Sequence, residues 1–360
     1  MRYASFNFDT TGTNCCCEIV GGGGTFRGMG RAQFTHSYED IISVENLLGA
    51  WREFLRGKRR KKDVQGFQYR LMDNILALHR DLREGTYKHG GYKAFKVSEP
   101  KPRDIHKASV RDRLLHHALY RKLYPFFDRT FIADLYSCRR NKGIHKAMNR
   151  FRTFAFRASH NHTRTCWVLK CDIRKFFASI DHRVLLDITA RYIPDERIVS
   201  LVMEVVGSFH STEDRKGLPL GNLTSQLLVN IYMNEFDQHV KHKLKVRHYI
   251  RYADDFVVLS HEKQHLQSLL LYIEVFLRDR LKLELHPRKV SITTFASGVD
   301  FLGWVHFPNH RVLRTSTKRR MLRNLDGDPK RVSVESYLGL LSHGNARTLA
   351  AKIGRLPDAT

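Results

Sequence analysis

The sequence predicts an α+β fold in which helical and strand-like segments intermix. Apolar residues recur at helical spacing over residues 44–55 and 68–83. Apolar or alternating runs that are typical of strands occupy residues 92–97, 167–172 and 249–259. These segments do not alternate regularly as strand and helix, so the pattern favours an α+β architecture over a doubly wound parallel sheet.

The charge balance predicts a polyanionic partner. The 360 residues include 62 Lys+Arg against 36 Asp+Glu, which gives a formal net charge of +26. Such an excess attracts nucleic acid, although a merely solvated basic surface is the alternative. No apolar run approaches the ~20 residues that span a bilayer, so no membrane association is expected. Six cysteines without paired spacing or a secretory signal predict free thiols and a cytoplasmic location.

The N-terminal region is predicted to be a flexible arm over residues 1–40. It contains the glycine run 21–24 and no sustained apolar period. It also lacks the strand and the helix-opening lysine of a phosphate-binding loop. Regular structure is expected to begin near Val44. The basic run over residues 56–62 then ends the first helix, and we interpret it as a phosphate contact, with a solvated charged face as the alternative.

Three carboxylates form the sharpest chemical pattern. Asp254 and Asp255 occupy a tight turn between two β-prone stretches, and Asp172 ends an apolar strand upstream. Adjacent carboxylates in an apolar hairpin repel each other unless a cation lies between them, although an isolated Asp-Asp pair is more often an exposed turn. Nucleotidyl transfer uses two divalent ions about 4 Å apart, and Mg²⁺ binds a few carboxylates together with phosphate and water. We therefore expect two Mg²⁺ ions at these aspartates.

These motifs resemble those of reverse transcriptases. Residues 169–181 are similar to the first palm motif of that family, and residues 252–255 are similar to its Tyr-x-Asp-Asp box. The resemblance implies an RNA-directed DNA polymerase with a right-hand fold: N-terminal helices and fingers over residues 41–165, palm over 166–307 and a small helical thumb over 308–360. It also implies catalysis by the three aspartates, with the metal ligands being Asp172, Ile173, Asp254 and Asp255.

Further site residues follow from the same resemblance. Phe177 resembles the gate that excludes the ribonucleotide 2′-hydroxyl, with plain core packing as the alternative. Residues 217–226 form a turn that delivers small and polar residues to a helix start, and residues 299–304 resemble the primer-grip turn. Lys289 could equally be a surface lysine. The implied nucleotide-binding residues are Lys101, Arg103, Arg113, Phe177, Leu220, Gln226 and Lys289. The implied primer-grip residues are Phe301, Leu302, Gly303 and Trp304.

Within the family, the chain resembles the enzymes of diversity-generating retroelements. Most reverse transcriptases have Gln where this chain has Leu220, and Ser-Pro where it has Ser225-Gln226. Residues 45–60, 92–103 and 336–345 are also similar to that subfamily. This resemblance implies mutagenic retrohoming, in which a template-repeat RNA is copied with dNTPs into a cDNA that is misread at adenines. The implied partners are the template RNA, the primer and cDNA, and a small basic helical accessory protein.

Other functions remain open from the sequence. A phage-defence reverse transcriptase of an unassigned bacterial group would share every catalytic residue, and gene neighbourhood would separate it. A catalytically inactive RNA-binding protein is disfavoured by the intact aspartates. A group II intron maturase is expected to need more sequence than residues 305–360 provide for its splicing domain. An RNA-directed RNA polymerase is disfavoured by the bulky Phe177.

Overall fold

The computed structural model describes residues 32–98, 102–326 and 331–354. The predicted glycine-rich arm lies almost wholly outside these residues. A π-helical turn occupies His239–Lys243 and a 3-10 turn occupies Phe295–Ser297. The α-helices are α1 (Tyr38–Ile42), α2 (Val44–Phe54), α3 (Lys62–Tyr69), α4 (Leu71–Arg83), α5 (Val110–Thr130), α6 (Ile144–Ala158), α7 (Phe176–Ser179), α8 (His182–Ala190), α9 (Glu196–Gly207), α10 (Leu223–Gln238), α11 (Lys263–Leu281), α12 (Thr315–Asn324), α13 (Arg331–Leu341) and α14 (Arg347–Ile353).

The strands of the described residues form antiparallel sheets. A hairpin pairs β1 with β2, a four-stranded sheet has the order β4-β5-β3-β6, and a three-stranded sheet has the order β7-β8-β9. The predicted α+β class is therefore confirmed. The strands are β1 (Lys93–Val97), β2 (Arg103–Lys107), β3 (Trp167–Asp172), β4 (Tyr249–Tyr252), β5 (Asp255–Ser260), β6 (Ser291–Thr294), β7 (Val299–Phe301), β8 (Trp304–His306) and β9 (Arg311–Leu313).

The first helices differ from the sequence expectation in two places. Helix α1 begins at Tyr38, not near Val44, because Ser37 and Asp40 form a reciprocal capping box that satisfies the first free amides. The helix expected over residues 68–83 is divided between α3 and α4 at Arg70, whose ψ of 46° is not helical. The Asn74 side chain donates to the Phe67 carbonyl at 2.9 Å and so takes the place of a helical amide.

Strands β3, β4 and β5 of the four-stranded sheet are largely buried, whereas the edge strand β6 is partly exposed. Successive strand residues point to opposite faces. Leu169, Cys171 and Val258 pack into the large core that includes α5, α10 and α11, whereas Val168 and Val257 pack against α6. A third apolar cluster joins β8 and β9 to the C-terminal helices. None of the described helices is long and apolar enough to cross a membrane.

Candidate active site

The sheet register brings the predicted carboxylates together. Strand β3 ends at Asp172 and pairs antiparallel with β5, so that Asp172 lies directly opposite Asp255. The β4–β5 hairpin closes at the pair of Tyr252 with Asp255, which leaves Asp254 in the turn. The Ile173 amide donates to the Asp254 carbonyl at 3.2 Å. The three aspartates therefore share one end of the sheet, as the sequence predicts.

The turn that carries Asp254 has a demanding backbone conformation. Ala253 has a φ of 57°, in the left-handed region that costs a non-glycine residue roughly 1–2 kcal/mol. Its amide donates to the Ser137 hydroxyl at 2.8 Å, and its carbonyl accepts from the Arg251 guanidinium at 3.0 Å. These two hydrogen bonds hold the turn in place.

Arg251 is itself held by a buried ion pair behind the turn. Arg251 and Asp237 are both fully buried, and their side chains meet through bonds of 2.7–3.0 Å. Asp237 also accepts from the Tyr249 hydroxyl at 2.7 Å, and Arg251 donates to the Asn230 side chain at 3.3 Å. A charge inside an apolar strand needs such a partner, because an unpaired buried ion is costly.

The electrostatics of the aspartates favour a cation. The Oδ1 atom of Asp255 is buried and has no hydrogen-bond partner in the described part of the chain. Burial raises the pKa of Asp255 to about 7, and the charges of Asp254 and Asp172 add to that rise against the opposing charge of Lys170. Burial and the charge of Asp172 also raise the pKa of Asp254. The carboxylates thus repel one another and lack solvation, which a bound cation would relieve.

Two lysines supply part of the missing positive charge. The Lys289 ammonium lies 2.8 Å from Oδ1 of Asp172. The Lys170 ammonium lies 3.9 Å from Asp255 and donates to the Asp300 carbonyl at 2.5 Å. Lys289 was predicted to contact the triphosphate, and the structure places it within reach of the carboxylate end of the sheet.

The donor set fits a hard divalent ion. No group of three His, Cys, Asp or Glu side chains in residues 32–98, 102–326 and 331–354 is arranged to hold a metal ion by itself. Mg²⁺ commonly completes its octahedron with water and substrate phosphate, and so it needs only a few protein oxygens. The unsatisfied Asp255 oxygen and the neighbouring carboxylates are suitable ligands for such an ion. The buried Ile173, bridged to Leu285, continues the strand past Asp172.

The fingers hairpin meets the palm beside the aspartates. Arg103 begins β2, and its positive charge acts on Asp254 and partly offsets the rise in the pKa of that carboxyl. Further along β2, the His106 amide donates to the Leu220 carbonyl at 3.1 Å. The Asn222 side chain donates to the His106 carbonyl at 3.0 Å. Arg103 and Leu220 are thus held on the same side of the site.

The predicted gate residue is joined to the same turn. Phe177 is half-buried in the short helix α7, and its carbonyl accepts from the Leu218 amide at 2.8 Å. Its ring contacts Phe176 edge to face at 5.6 Å, and Phe176 is the fully packed member of the pair. Gln226 is half-buried in the first turn of α10. The residues 217–226 therefore connect Phe177 to the fingers strand.

One predicted nucleotide ligand, Arg113, has another position. The Arg113 guanidinium donates to Asp63 at 2.7 Å and lies 5.0 Å from the centre of the Phe54 ring, so its hydrogen-bonding capacity is used between α3 and α5. The structure does not bring Arg113 to the carboxylates. Lys101 lies outside the described residues.

The predicted primer grip is a β-hairpin with a two-residue turn. Leu302 and Gly303 both have positive φ, 53° and 86°, which is the pattern of the turn type that matches strand twist. Phe301 and Trp304 pair across the hairpin and are buried. Leu302 and Gly303 at the tip are half-buried, and the Arg314 amide donates to the Gly303 carbonyl at 3.1 Å.

Several residues of the site were not predicted from the sequence. These are the ones that hold the turn or supply charge from other elements: Ser137, Lys170, Asp237 and Arg251. Arg251 and Lys170 each left a signal, because each is a charged residue within an otherwise apolar strand. The partner of Arg251 could not be identified, since Asp237 looks like any helical aspartate.

Comparisons with known proteins bear on the whole of this site. Residues 93–306 match the family described as reverse transcriptase (RNA-dependent DNA polymerase). The chain is 26% identical to Protein YkfC of Escherichia coli K12 over 307 residues, which cover 73% of this chain and 77% of YkfC. It is 22% identical to the group II intron-encoded protein LtrA of Lactococcus lactis over 320 residues, 69% of this chain and 51% of LtrA.

Solved structures are also similar. The apo telomerase of Candida tropicalis, truncated from its C-terminal domain, aligns with a TM-score of 0.47 at 11% identity and covers 68% of this chain and 60% of that one. The chain thus spans about half the length of LtrA and less than two thirds of the telomerase chain.

The family match includes all three aspartates and the segments that hold them. It confirms the predicted right-hand polymerase fold and the prediction of an RNA-directed DNA polymerase. The chain belongs to the reverse transcriptase (RNA-dependent DNA polymerase) family.

Proposed function

We propose that the chain is the reverse transcriptase of a diversity-generating retroelement, which copies a template-repeat RNA into error-prone cDNA with Mg²⁺. The observation that carries this proposal is the aliphatic side chain of Leu220. It is half-buried, and its carbonyl accepts from the His106 amide of β2, the strand that begins at Arg103. Leu218, two residues earlier in the same turn, donates to the Phe177 carbonyl.

Leu220 offers a physical reason for low fidelity. A glutamine at this position could donate hydrogen bonds to the sugar or phosphate of the incoming nucleotide, whereas leucine cannot. Sites that hydrogen-bond a substrate reject misfits strongly, because a misfit leaves buried polar groups unpaired. With Leu220 that penalty is absent, and a mispaired nucleotide is disfavoured less.

The other residues have roles that fit polymerisation. Asp172, Asp254 and Asp255, with the Ile173 carbonyl, would hold two Mg²⁺ ions. When bound, such ions lower the charge barrier for attack by a 3′-hydroxyl and for departure of pyrophosphate. Arg103 and Lys289 orient the triphosphate through charge-assisted hydrogen bonds.

Phe177 excludes the ribonucleotide 2′-hydroxyl, and the tip at Leu302 and Gly303 positions the primer strand. The template RNA, the primer and growing cDNA, and a small basic helical accessory protein are the proposed partners, in the cytoplasm.

The test is the sequence of the cDNA made from a template-repeat RNA. Wild type should misincorporate mainly opposite adenines, and Leu220→Gln should reduce this misincorporation while leaving synthesis opposite the other bases unchanged. Leu220→Met is the matched control, because it keeps the volume and adds no hydrogen-bond donor; it should behave as wild type. Equal adenine misincorporation by wild type and Leu220→Gln would contradict the role of Leu220.

A second candidate function is favoured by the similarity to LtrA, whose name describes a group II intron-encoded protein. An enzyme of that kind should copy intron RNA faithfully. Accurate copying of adenines by the wild type would therefore favour this candidate and contradict the retroelement proposal.

A further inference from the structure

A basic cleft lies at the far end of the β7–β9 sheet from the Leu302–Gly303 tip. It has a volume of about 220 Å³ and is formed by α6, by the turn between β8 and β9, and by the loop between α13 and α14. The side chains used below are those of Arg152, His306, His310, Arg311 and His343.

The cleft contains two guanidinium groups and no acidic residue. Its lining includes Arg152 and Arg311 but no Asp or Glu. Arg311 donates through Nη1 to the Asn149 side chain at 3.2 Å and through Nε to the His343 carbonyl, so its partners are neutral. Neither arginine forms an ion pair with a residue that the structure describes. Burial lowers the pKa of Arg311, and the neighbouring charge of Arg152 lowers it further.

Imidazole rings complete the lining. His306 is buried and its Nε2 lies 3.2 Å from the Phe301 carbonyl, and burial lowers its pKa to about 4. At neutral pH it is therefore uncharged and adds no repulsion. The His343 ring stacks on His145 with centroids 3.6 Å apart, and His310 stacks on Phe307 at 4.7 Å. These rings give the cleft rigid walls and polar N–H groups.

The loop that closes the cleft depends on a glycine. A Cβ atom on Gly344 would lie 2.0 Å from the buried Trp304 ring, so only glycine allows the loop to pack there. Asn345 in the same loop holds Arg311: the Asn345 amide donates to the Arg311 carbonyl at 2.9 Å, and the Arg311 amide donates to the Asn345 side chain at 3.4 Å. The arginine is therefore preorganised by elements from three parts of the chain.

We propose that this cleft binds a phosphate group, and that the phosphate belongs to the backbone of the bound nucleic acid. Two guanidinium groups without a counter-charge match the planar, bidentate geometry of phosphate recognition. Strand β8 has three residues, so at about 3.3 Å per residue the cleft lies roughly 10 Å from the tip. A nucleic-acid strand that extends past the tip can reach it. The cleft is separate from the carboxylates and does not depend on the retroelement assignment.

The first test measures the salt dependence of nucleic-acid binding by the full chain. An RNA–DNA duplex of 20 base pairs is titrated with wild type, Arg152→Gln and Arg157→Gln at several KCl concentrations. Arg152 is exposed, so its replacement should not disturb folding; Arg157 lies on the same helix outside the cleft and is the matched control for loss of charge.

The proposal predicts a selective loss of one phosphate contact. For Arg152→Gln, the negative slope of the logarithm of the binding constant against log [KCl] should become shallower by about 0.9. This corresponds to about 8-fold weaker binding at 0.1 M salt. Arg157→Gln should keep the wild-type slope. Arg311→Lys retains the positive charge but loses the planar N–H donors of the guanidinium group. It should weaken binding without changing the salt slope. Equal slopes for wild type and Arg152→Gln would exclude the nucleic-acid backbone as the source of the phosphate.

The second test distinguishes a free anion from the backbone. Thermal unfolding is measured in potassium phosphate and in potassium chloride at equal ionic strength. One outcome is that phosphate stabilises wild type but not Arg152→Gln while the slopes in the first test are equal. In that case the cleft is a phosphate site, and its ligand is the free ion. The proposal is overturned if wild type and Arg152→Gln have equal slopes and phosphate does not selectively stabilise wild type. It is also overturned if Arg152→Gln and Arg157→Gln lose slope equally.

Discussion

Replacing Asp237 by Asn would leave the buried Arg251 guanidinium without its counter-charge. Asp237 accepts two close bonds from Arg251, at 2.8 and 2.7 Å, and one from the Tyr249 hydroxyl at 2.7 Å. Both ionic side chains are fully buried, so water cannot replace the lost carboxylate. Removing one member of a buried pair costs about 3–5 kcal/mol, and we expect Asp237→Asn to lower the free energy of unfolding by that amount.

The same pair also positions the turn that carries Asp254. Arg251 donates to the Ala253 carbonyl at 3.0 Å, one residue before Asp254. The double variant Asp237→Leu/Arg251→Met replaces the pair with apolar groups of similar volume, which commonly restores most of the stability. It does not restore the bond to Ala253. A 1 Å displacement of an active-site group can slow a reaction about 100-fold. We therefore expect nucleotide addition to remain impaired in this stable variant.

Urea denaturation and single-nucleotide addition, measured on the same preparations, separate the two effects. The addition rate is compared only under conditions in which circular dichroism shows each variant folded. Asp279→Asn is the control, because its pair with Arg278 is fully exposed; it should change neither quantity. The reasoning fails if Asp237→Asn costs less than about 1 kcal/mol, the range of surface pairs, or if the double variant recovers the full rate.

Three further expectations follow from single residues. Phe177→Ala should raise the kcat/KM ratio of ribonucleotide to deoxyribonucleotide addition, and an unchanged ratio would assign Phe177 to the core alone. Burial lowers the pKa of His306 from 6.5 to about 4, so protonation favours the unfolded chain, and stability should fall as pH drops from about 6.5 to about 4. In His306→Gln the loss of folding stability on acidification should be smaller than in wild type. An identical loss of stability in the two proteins would contradict this expectation. Gly344→Ala should destabilise by about 1–3 kcal/mol through its clash with Trp304; in contrast, Gly339→Ala meets no atom within 4 Å and should be neutral or stabilising.

The segments around the three site carboxylates could be predicted because their signals are local. The apolar run that ends at Asp172 forms β3, and the two β-prone stretches beside Asp254 and Asp255 form β4 and β5. The tight turn sets the register of β4 with β5. The period of two limits β3 to registers on β5 that keep its apolar residues buried, and the structure adopts the one that sets Asp172 opposite Asp255.

The rest could not be predicted because it depends on contacts that are distant in sequence. Asp237 lies within a helix and shows no local sign of its bond to Arg251, which is decided by how α10 packs on the sheet. The resemblance of residues 110–113 to a fingers segment predicts that Arg113 contacts the triphosphate, but the fold places Asp63 of α3 beside it. The start of α1 did have a local signal, the Ser37–Asp40 capping box, which the glycine-rich context obscured.

The central claim is that Asp172, Asp254 and Asp255 catalyse RNA-directed DNA synthesis. The most direct measurement is extension of a DNA primer on an RNA template by the purified chain with dNTPs and Mg²⁺, alongside Asp254→Asn. We predict extension by wild type and none by Asp254→Asn, with both proteins folded and binding the primer–template equally. Equal extension by the two proteins would contradict the claim.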